Sequence, residues 1–304
     1  MKNTLYRILA LLILITSTSC VDDSQKKEVK VIEDVKQVVI SKSSQNLNIS
    51  FLLDLSDRID PEKYSNESME YYLRDVAYIK SVSEAFDMHL RSKKVRQMND
   101  KIQLYFDPEP KNQNINKLSK DLRHNITRDN VTLELLDEIK ERYASKPIEI
   151  YESAIKDNKY VGSDTWRFFK TKVKDYCIEE DYRNILIVLT DGYIYHKDSK
   201  INEDNLTSYL TPKEIRGFKL NNKNWKDKFE KEYFGFIPAT DDLSNLEILV
   251  LGINPDKKNP YEEDVITQYW SDWFNAMRVT KYEIKTAGLP SNMDRIIKDF
   301  ILDK

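Results

Sequence analysis

This chain contains several short apolar-rich runs, and between them apolar residues recur at helical spacing. The runs lie at 49–53, 185–189 and 246–253. Aliphatic runs of this length, bounded by turn residues, are typical of strands that are buried on both faces of a parallel sheet. The segments between them carry apolar side chains at steps of three and four residues, which predicts amphipathic helices.

The order of these segments predicts the fold class. Strands are expected at 49–54, 101–106, 185–190, 246–253 and 282–285, and an edge strand at 148–151 after Pro147. Helices are expected at 67–93 (as one helix or two), within 114–144 in two pieces, from about 165 to 177, around 269–277 and at 293–301. Alternating strands and helices predict an α/β domain, with a doubly wound, mostly parallel central sheet that is flanked by helices.

A long polar segment at about 193–245 interrupts this alternation and is predicted to be an insertion. Trp225, Phe229 and Tyr233 recur in it at four-residue spacing, which predicts a helix with an aromatic stripe. Such a stripe packs against the parent domain or forms a face that binds a partner.

The first twenty residues have the build of an export signal. Lys2 and Arg7 precede an apolar run at 8–15, which is too short to span a bilayer, and small polar residues then lead to Cys20. Small residues directly before a cysteine resemble the lipobox of bacterial lipoproteins. The resemblance implies a lipoprotein signal peptide at 1–19 and lipidation of Cys20, which would attach the chain to a membrane; the alternative is a plain secretory peptide.

Residues 20–46 lack aromatic residues and glycine, which predicts a flexible tether with a weak strand at 35–40. Asp22 and Asp23 resemble the acidic export signal of surface lipoproteins in Bacteroidota. We therefore expect a cell-envelope protein, lipid-anchored on the periplasmic or the surface face, with its folded domain at 47–304.

Charge and cysteine content exclude several classes of protein. The net charge is −3 and basic and acidic residues are interspersed, so the sequence shows no basic cluster of the kind that binds nucleic acid. Only Cys177 remains beyond Cys20, and a buried, unreactive thiol is the expected role. The three histidines are far apart and show no zinc-ligand spacing.

Hard oxygen atoms occur in three loops that the predicted sheet places at one edge. Asp54 and Ser56 follow the first strand, Thr165 begins a helix, and Asp191 ends the strand before Gly192. Ligands of doubly wound sheets bind outside the carboxyl ends of the strands. Two carboxylates and two hydroxyls suit the octahedral shell of Mg²⁺ or Mn²⁺, so these four residues are the predicted metal ligands.

The order D-x-S, a glycine-led threonine at a helix start, and a buried strand ending in T-D-G resembles the von Willebrand factor type A domain with its metal-ion-dependent adhesion site. By position, Asp54 and Ser56 match two ligands of the family, Thr165 its threonine and Asp191 its last aspartate. The resemblance implies a domain that binds a protein partner through the metal, and many members are not enzymes.

Arg58 departs from this family pattern, since it stands where D-x-S-x-S has its second serine. A guanidinium beside two aspartates can supply the positive charge of a metal ion. Asp57 adds a carboxylate, and Asp164 is a candidate helix cap beside Thr165. We treat these three residues as possible modulators of the site, with Mg²⁺ or Mn²⁺ binding and a metal-free site both open.

Three functions follow from these observations. The leading hypothesis is an anchored lipoprotein whose domain binds a protein of the cell envelope, without catalysis. The second hypothesis is a metal-dependent hydrolase that acts on a phosphate or ester through Asp54 or Asp191. Against it, D-x-S is not the D-x-D motif of haloacid dehalogenases, and the chain has no P-loop, G-x-G-x-x-G or serine elbow. The third is a metal-free scaffold in envelope assembly.

Overall fold

The computed structural model describes residues 45–160 and 162–303. The predictions for the signal peptide, Cys20 and the strand at 35–40 lie outside these residues. Six described strands form the central sheet: β1 (Asn46–Leu53), β2 (Asn99–Phe106), β3 (His124–Thr127), β4 (Tyr182–Leu189), β8 (Leu246–Ile253) and β9 (Lys281–Thr286). The short strands β5 (Asn202–Glu203), β6 (Leu206–Thr207) and β7 (Gly235–Phe236) form a second sheet.

The strand order of the central sheet is β3-β2-β1-β4-β8-β9, and all neighbours are parallel except β3 with β2. The predicted doubly wound, mostly parallel sheet is therefore confirmed. The chain moves outward from β1 through β2 on one side and from β4 through β8 on the other. The strand order thus reverses between β1 and β4, and such a switch point is where ligands bind in this architecture.

Helices cover both faces of the sheet. Their bounds are α1 (Tyr71–Ser92), α2 (Gln113–Asp121), α3 (Leu133–Asp157), α4 (Thr165–Thr171), α5 (Val173–Cys177), α6 (Pro212–Gly217), α7 (Trp225–Glu232), α8 (Glu262–Ala276) and α9 (Pro290–Leu302). One apolar core joins the sheet to α1, α2, α3 and α9, and another joins it to α4, α5, α8 and the insertion. Strands between two cores are largely apolar on both faces, which explains the apolar-rich runs in β1, β4 and β8.

The insertion packs against the second core. Phe229 of α7 is buried, and its ring centroid lies 5.0 Å from that of Tyr269 on α8. Phe236 of β7 contacts Tyr269, Trp270 and Trp273 of the same helix. Of the two roles considered for the aromatic stripe, the structure supports packing for Trp225 and Phe229.

Tyr233 does not belong to this stripe. Helix α7 ends at Glu232, and Tyr233 follows in the left-handed conformation with φ 57°. Its side chain is 81 % exposed, because the chain reverses direction there and turns the ring into solvent.

The predicted edge strand at 148–151 is wrong. Helix α3 runs without interruption from Leu133 to Asp157 and contains Pro147. Its buried positions keep helical spacing across the proline: Leu136, Ile139, Tyr143, Pro147, Ile150, Tyr151 and Ala154. Packing along this face outweighs the loss of one backbone hydrogen bond at the proline. The true edge strand is β3, which the sequence analysis missed.

A buried ionic cluster holds the beginning of β1. The carboxylate of Asp100 accepts hydrogen bonds from the backbone N–H of Leu47 at 2.7 Å and from Lys93 Nζ at 2.7 Å, and it lies 3.1 Å from His89 Nε2. Lys93 Nζ also donates to Asn46 Oδ1 at 2.9 Å. Residues from β1, β2 and the end of α1 are thereby tied together.

Strand β9 forms one margin of the sheet and carries charges along its length. Lys281, Glu283 and Lys285 alternate with Tyr282 and Ile284, and every one of these residues is partly exposed. In the described part of the chain, no helix has the length and apolar character needed to cross a membrane.

Candidate binding site at the carboxyl edge of the sheet

The ends of β1 and β4 bring the two predicted aspartates to the switch point. The backbone N–H of Asp54 donates to Leu189 O at 3.0 Å, which continues the pairing of the two strands. One residue further on, Thr190 Oγ1 donates to Asp54 Oδ2 at 3.3 Å. Asp54 and Asp191 therefore leave neighbouring strands at the same edge, as the sequence predicted.

Local hydrogen bonds fix the two loops. Ser56 N donates to Asp54 Oδ1 at 2.8 Å, which turns the first loop back over its own aspartate. Gly192 has φ 96°, a left-handed value that favours glycine. A Cβ atom there would lie 2.7 Å from Ile266 and 2.8 Å from Ile253, so the tight exit expected at this residue also requires glycine sterically.

Arg58 points inward, beneath these loops, and is 5 % exposed. Its Nη2 donates to Asp75 Oδ2 at 2.6 Å and to Leu189 O at 3.0 Å, and its Nε donates to Asp54 O at 3.2 Å. Nε also lies 3.5 Å from Asp54 Oδ2. The guanidinium thus places a permanent positive charge directly under the Asp54 carboxylate.

Two residues that the sequence analysis did not single out hold Arg58 in place. Asp75 of α1 is buried and accepts a hydrogen bond from Tyr151 Oη of α3 at 3.0 Å, in addition to that from Arg58. The available signal was an aspartate on the apolar face of α1, next to Val76 and one turn before Ile79. A charge in such a position usually has a buried partner.

The negative charge of Asp191 has fewer hydrogen-bond and ionic partners than that of Asp54. Its Oδ1 accepts the N–H of Tyr193 at 3.1 Å. Within the described ranges, no lysine, arginine or histidine nitrogen forms an ion pair with it. Loss of solvation and repulsion by Asp54, opposed by Arg58, raise the pKa of Asp191 to about 7. This carboxyl group therefore takes up a proton more readily than an ordinary aspartate.

Thr165, the predicted ligand from the second loop, does not line the cleft with Asp54 and Asp191. It is buried at the first position of α4, and its Oγ1 lies 3.1 Å from Ser163 Oγ. Ser163, not Thr165, lines the cleft above Asp54 and Asp191. Asp164 caps α4 by accepting the N–H of Arg167 at 3.1 Å, as expected for a helix cap, and its other oxygen faces Ser199 and His196 of the insertion.

The cleft has a volume of about 730 Å³ and its walls combine tyrosines with charges. Its floor is acidic, since Asp54 and Asp191 lie there, and Ser56 and Asp57 complete that side. Basic and aromatic side chains make up about half of the remaining lining: Arg58, Lys63, Tyr64, Tyr71, Tyr193, Tyr195, Arg216, Lys257 and Lys258. The rest of the lining includes Asp256 and small or polar residues. Tyr64 and Tyr195 are 43 % and 45 % exposed, so ring surface is available to a partner.

The residues at this floor do not match the octahedral oxygen shell that Mg²⁺ or Mn²⁺ prefers. Asp54 Oδ1 and Oδ2 already accept hydrogen bonds from Ser56 and Thr190. The Thr165 hydroxyl is turned to Ser163, and the Arg58 guanidinium places a positive charge 3.5 Å from the Asp54 carboxylate. Among the described residues, no group of three or more histidine, cysteine, aspartate or glutamate side chains is arranged to hold a metal ion.

The fold and the cleft define a doubly wound α/β domain with a polar site at its switch point. An aerotolerance-related membrane protein from Bacteroides fragilis is similar in structure, with 10 % identity and a TM-score of 0.39, over 85 % of this chain and 100 % of that one. Two structures of the pilus adhesin SpaC from Lactobacillus rhamnosus GG are similar at 10 % identity and a TM-score of 0.40, over 85 % of this chain and 30 % of theirs. No model of a protein family matches the chain, and no curated protein matches it.

Proposed function

We propose that this domain is a binding module of an exported lipoprotein, anchored through Cys20, and that it engages a protein partner of the cell envelope at the cleft. The observation that carries this proposal is the pair Asp54 and Asp191 at adjacent strand ends, open to a cleft of about 730 Å³. Clefts of this size with a few convergent polar groups are typical of ligand sites, and exposed tyrosine rings are typical of protein interfaces.

Binding is favoured over hydrolysis by the state of Asp54. A carboxylate is a weaker nucleophile when hydrogen bonds and a nearby cation stabilise its negative charge. Both oxygens of Asp54 accept hydrogen bonds from the protein, and Arg58 stabilises their negative charge from below. We therefore propose no catalytic role for Asp54, and a non-enzymatic function for the domain.

The test is capture of a partner from native envelope by the immobilised full chain. A partner that docks in the cleft is retained by the wild type, and its affinity falls by about tenfold or more in Asp191→Asn and in Tyr195→Ala, because each change removes a group from the docking surface. Binding is measured by calorimetry or surface plasmon resonance once the captured protein is known.

Asp241→Asn is the matched control, since Asp241 is an exposed aspartate that lies outside the cleft. It is expected to bind the partner like the wild type. Melting curves of all variants exclude loss of fold as the cause of weak binding. Equal affinity of the wild type, Asp191→Asn and Tyr195→Ala would contradict the proposed docking site.

A further inference from the structure

We propose that Arg58 takes the place of a divalent ion at this cleft, so that the site is a metal-independent binding site with a built-in cation. The guanidinium lies between Asp54 and Asp75 at the point where the strand order reverses. It belongs to the covalent structure, so the positive charge does not depend on metal concentration.

The position of Arg58 is fixed by four contacts with three residues, which lie on separate elements. Asp75 of α1 accepts from Nη2 at 2.6 Å, and Leu189 O at the end of β4 accepts from the same nitrogen at 3.0 Å. Asp54 O accepts from Nε at 3.2 Å, and the Asp54 carboxylate lies 3.5 Å from Nε. Tyr151 Oη of α3 donates to the same oxygen, Asp75 Oδ2, at 3.0 Å. A buried charge with so many partners has one orientation, and here it lies beside the Asp54 carboxylate at the base of the cleft.

A divalent ion between Asp54 and Asp191 would face this fixed charge. Ion–oxygen distances for Mg²⁺ are about 2.0–2.1 Å, so an ion on Asp54 Oδ2 would approach the guanidinium closely in a poorly solvated place. The repulsion opposes metal binding there. The threonine that the family resemblance implies as a ligand is also turned to Ser163, which leaves the ligand shell incomplete.

Because partner docking at the cleft is itself a proposal, metal binding is measured on the full chain alone, purified in detergent. Mn²⁺ binding is followed by electron paramagnetic resonance, and the melting temperature is recorded with Mn²⁺, with Mg²⁺ and with EDTA. The wild type is expected to show no saturable Mn²⁺ binding and the same melting temperature in all three conditions.

Two substitutions of Arg58 separate charge from side-chain size. Arg58→Ser removes the cation and places a hydroxyl where the resembled motif has its second serine, so Mn²⁺ affinity is expected to rise by about tenfold or more. Arg58→Lys keeps a positive charge and is expected to bind Mn²⁺ no better than the wild type. If Arg58→Ser does not fold, the double variant with Asp75→Asn removes the carboxylate that was left unpaired, and it is tested in the same way.

Saturable Mn²⁺ binding by the wild type, with a higher melting temperature that Asp191→Asn abolishes, would overturn the proposal. A folded Arg58→Ser chain that gains no affinity for Mn²⁺ would overturn it too. Once a partner is captured, EDTA is expected to leave its binding unchanged. Loss of partner binding in EDTA counts against the built-in cation, whereas absence of any cleft-dependent partner counts only against the proposed function.

Discussion

At the scale of single residues, buried charges are satisfied by several partners each. Arg58 illustrates how much of such a site the sequence contains. Its place two residues after Ser56 indicates a departure from the resembled motif, but its orientation depends on Asp75, which is 17 residues away in the chain, and on Tyr151, which is 76 residues beyond Asp75. Contacts of this range are set by helix packing, so they could not be predicted from local spacing.

Asp100 is the second buried charge, and its effect on stability depends on pH. Burial would raise its pKa, but hydrogen bonds from His89, the Leu47 N–H and Lys93 together lower it below the ordinary value of an aspartate. The ionised group therefore stabilises the fold fully above the unfolded pKa of about 3.9, and this contribution is lost as the pH falls through the lower, folded pKa.

We expect Asp100→Asn to lower the free energy of unfolding by about 3 kcal/mol at neutral pH, because it leaves Lys93 without its buried counter-charge. The difference from the wild type should shrink in acid, because below the unfolded pKa the wild type progressively loses the stabilisation by its ionised carboxylate. Urea unfolding, followed by tryptophan fluorescence at pH values near 7 and near 3, measures both quantities. Asp129→Asn, at an exposed aspartate, should change stability by less than about 0.5 kcal/mol. An equal loss for Asp100→Asn at both pH values would contradict the role of the ionised group.

At the scale of secondary structure, long periodic or continuous apolar segments were predictable, whereas short or interrupted ones were not. The strands β1, β2, β4, β8 and β9 and the helices α1 and α8 were expected from their patterns, with small shifts of their ends. Strand β3 has four residues and only Ile126 is buried in it, so it has almost no apolar signature. The local propensity of Pro147 predicts a break, but the helical spacing of buried residues on both sides of it outweighs that propensity.

The continuity of α3 can be tested by replacing the proline. Pro147→Ala restores an N–H that can donate to Tyr143 O and removes the unfavourable ring from the helix interior, at the cost of a smaller buried side chain. We expect the free energy of unfolding to rise by about 1–2 kcal/mol. Chemical denaturation measures this change. Pro110→Ala, which lies in a loop, should give no such gain, and a destabilised Pro147→Ala chain would argue against the helical packing of this segment.

At the scale of the whole described domain, the insertion and the parent sheet share one apolar core. Trp225, Phe229 and Phe236 lie in the same cluster as Val188 of β4 and Trp270 of α8. An insertion at about 193–245 is a prediction from polar composition, and the small sheet within it could not be foreseen, since each of its strands has two residues. Shared packing implies that insertion and sheet unfold together.

Phe229→Ala tests this cooperativity. Removal of a ring that is 2 % exposed should lower the free energy of unfolding by about 3–5 kcal/mol, because a cavity forms between α7 and α8. Circular dichroism and tryptophan fluorescence should still report one coincident transition. Tyr233→Ala is the control at the end of the same helix, where the exposed ring makes little difference. Two separate transitions, with the sheet unaffected by Phe229→Ala, would show that the insertion unfolds independently.

The charges along β9 affect how copies of the domain interact when many of them are crowded on one surface. Exposed sheet margins can recruit a neighbour's strand and start aggregation. Lys281, Glu283 and Lys285 make such edge-to-edge pairing unfavourable at one margin, and at the other β3 offers only His124–Thr127 as a template. Dense arrays should therefore consist of independent domains, each with its cleft free, and not of sheets that have merged.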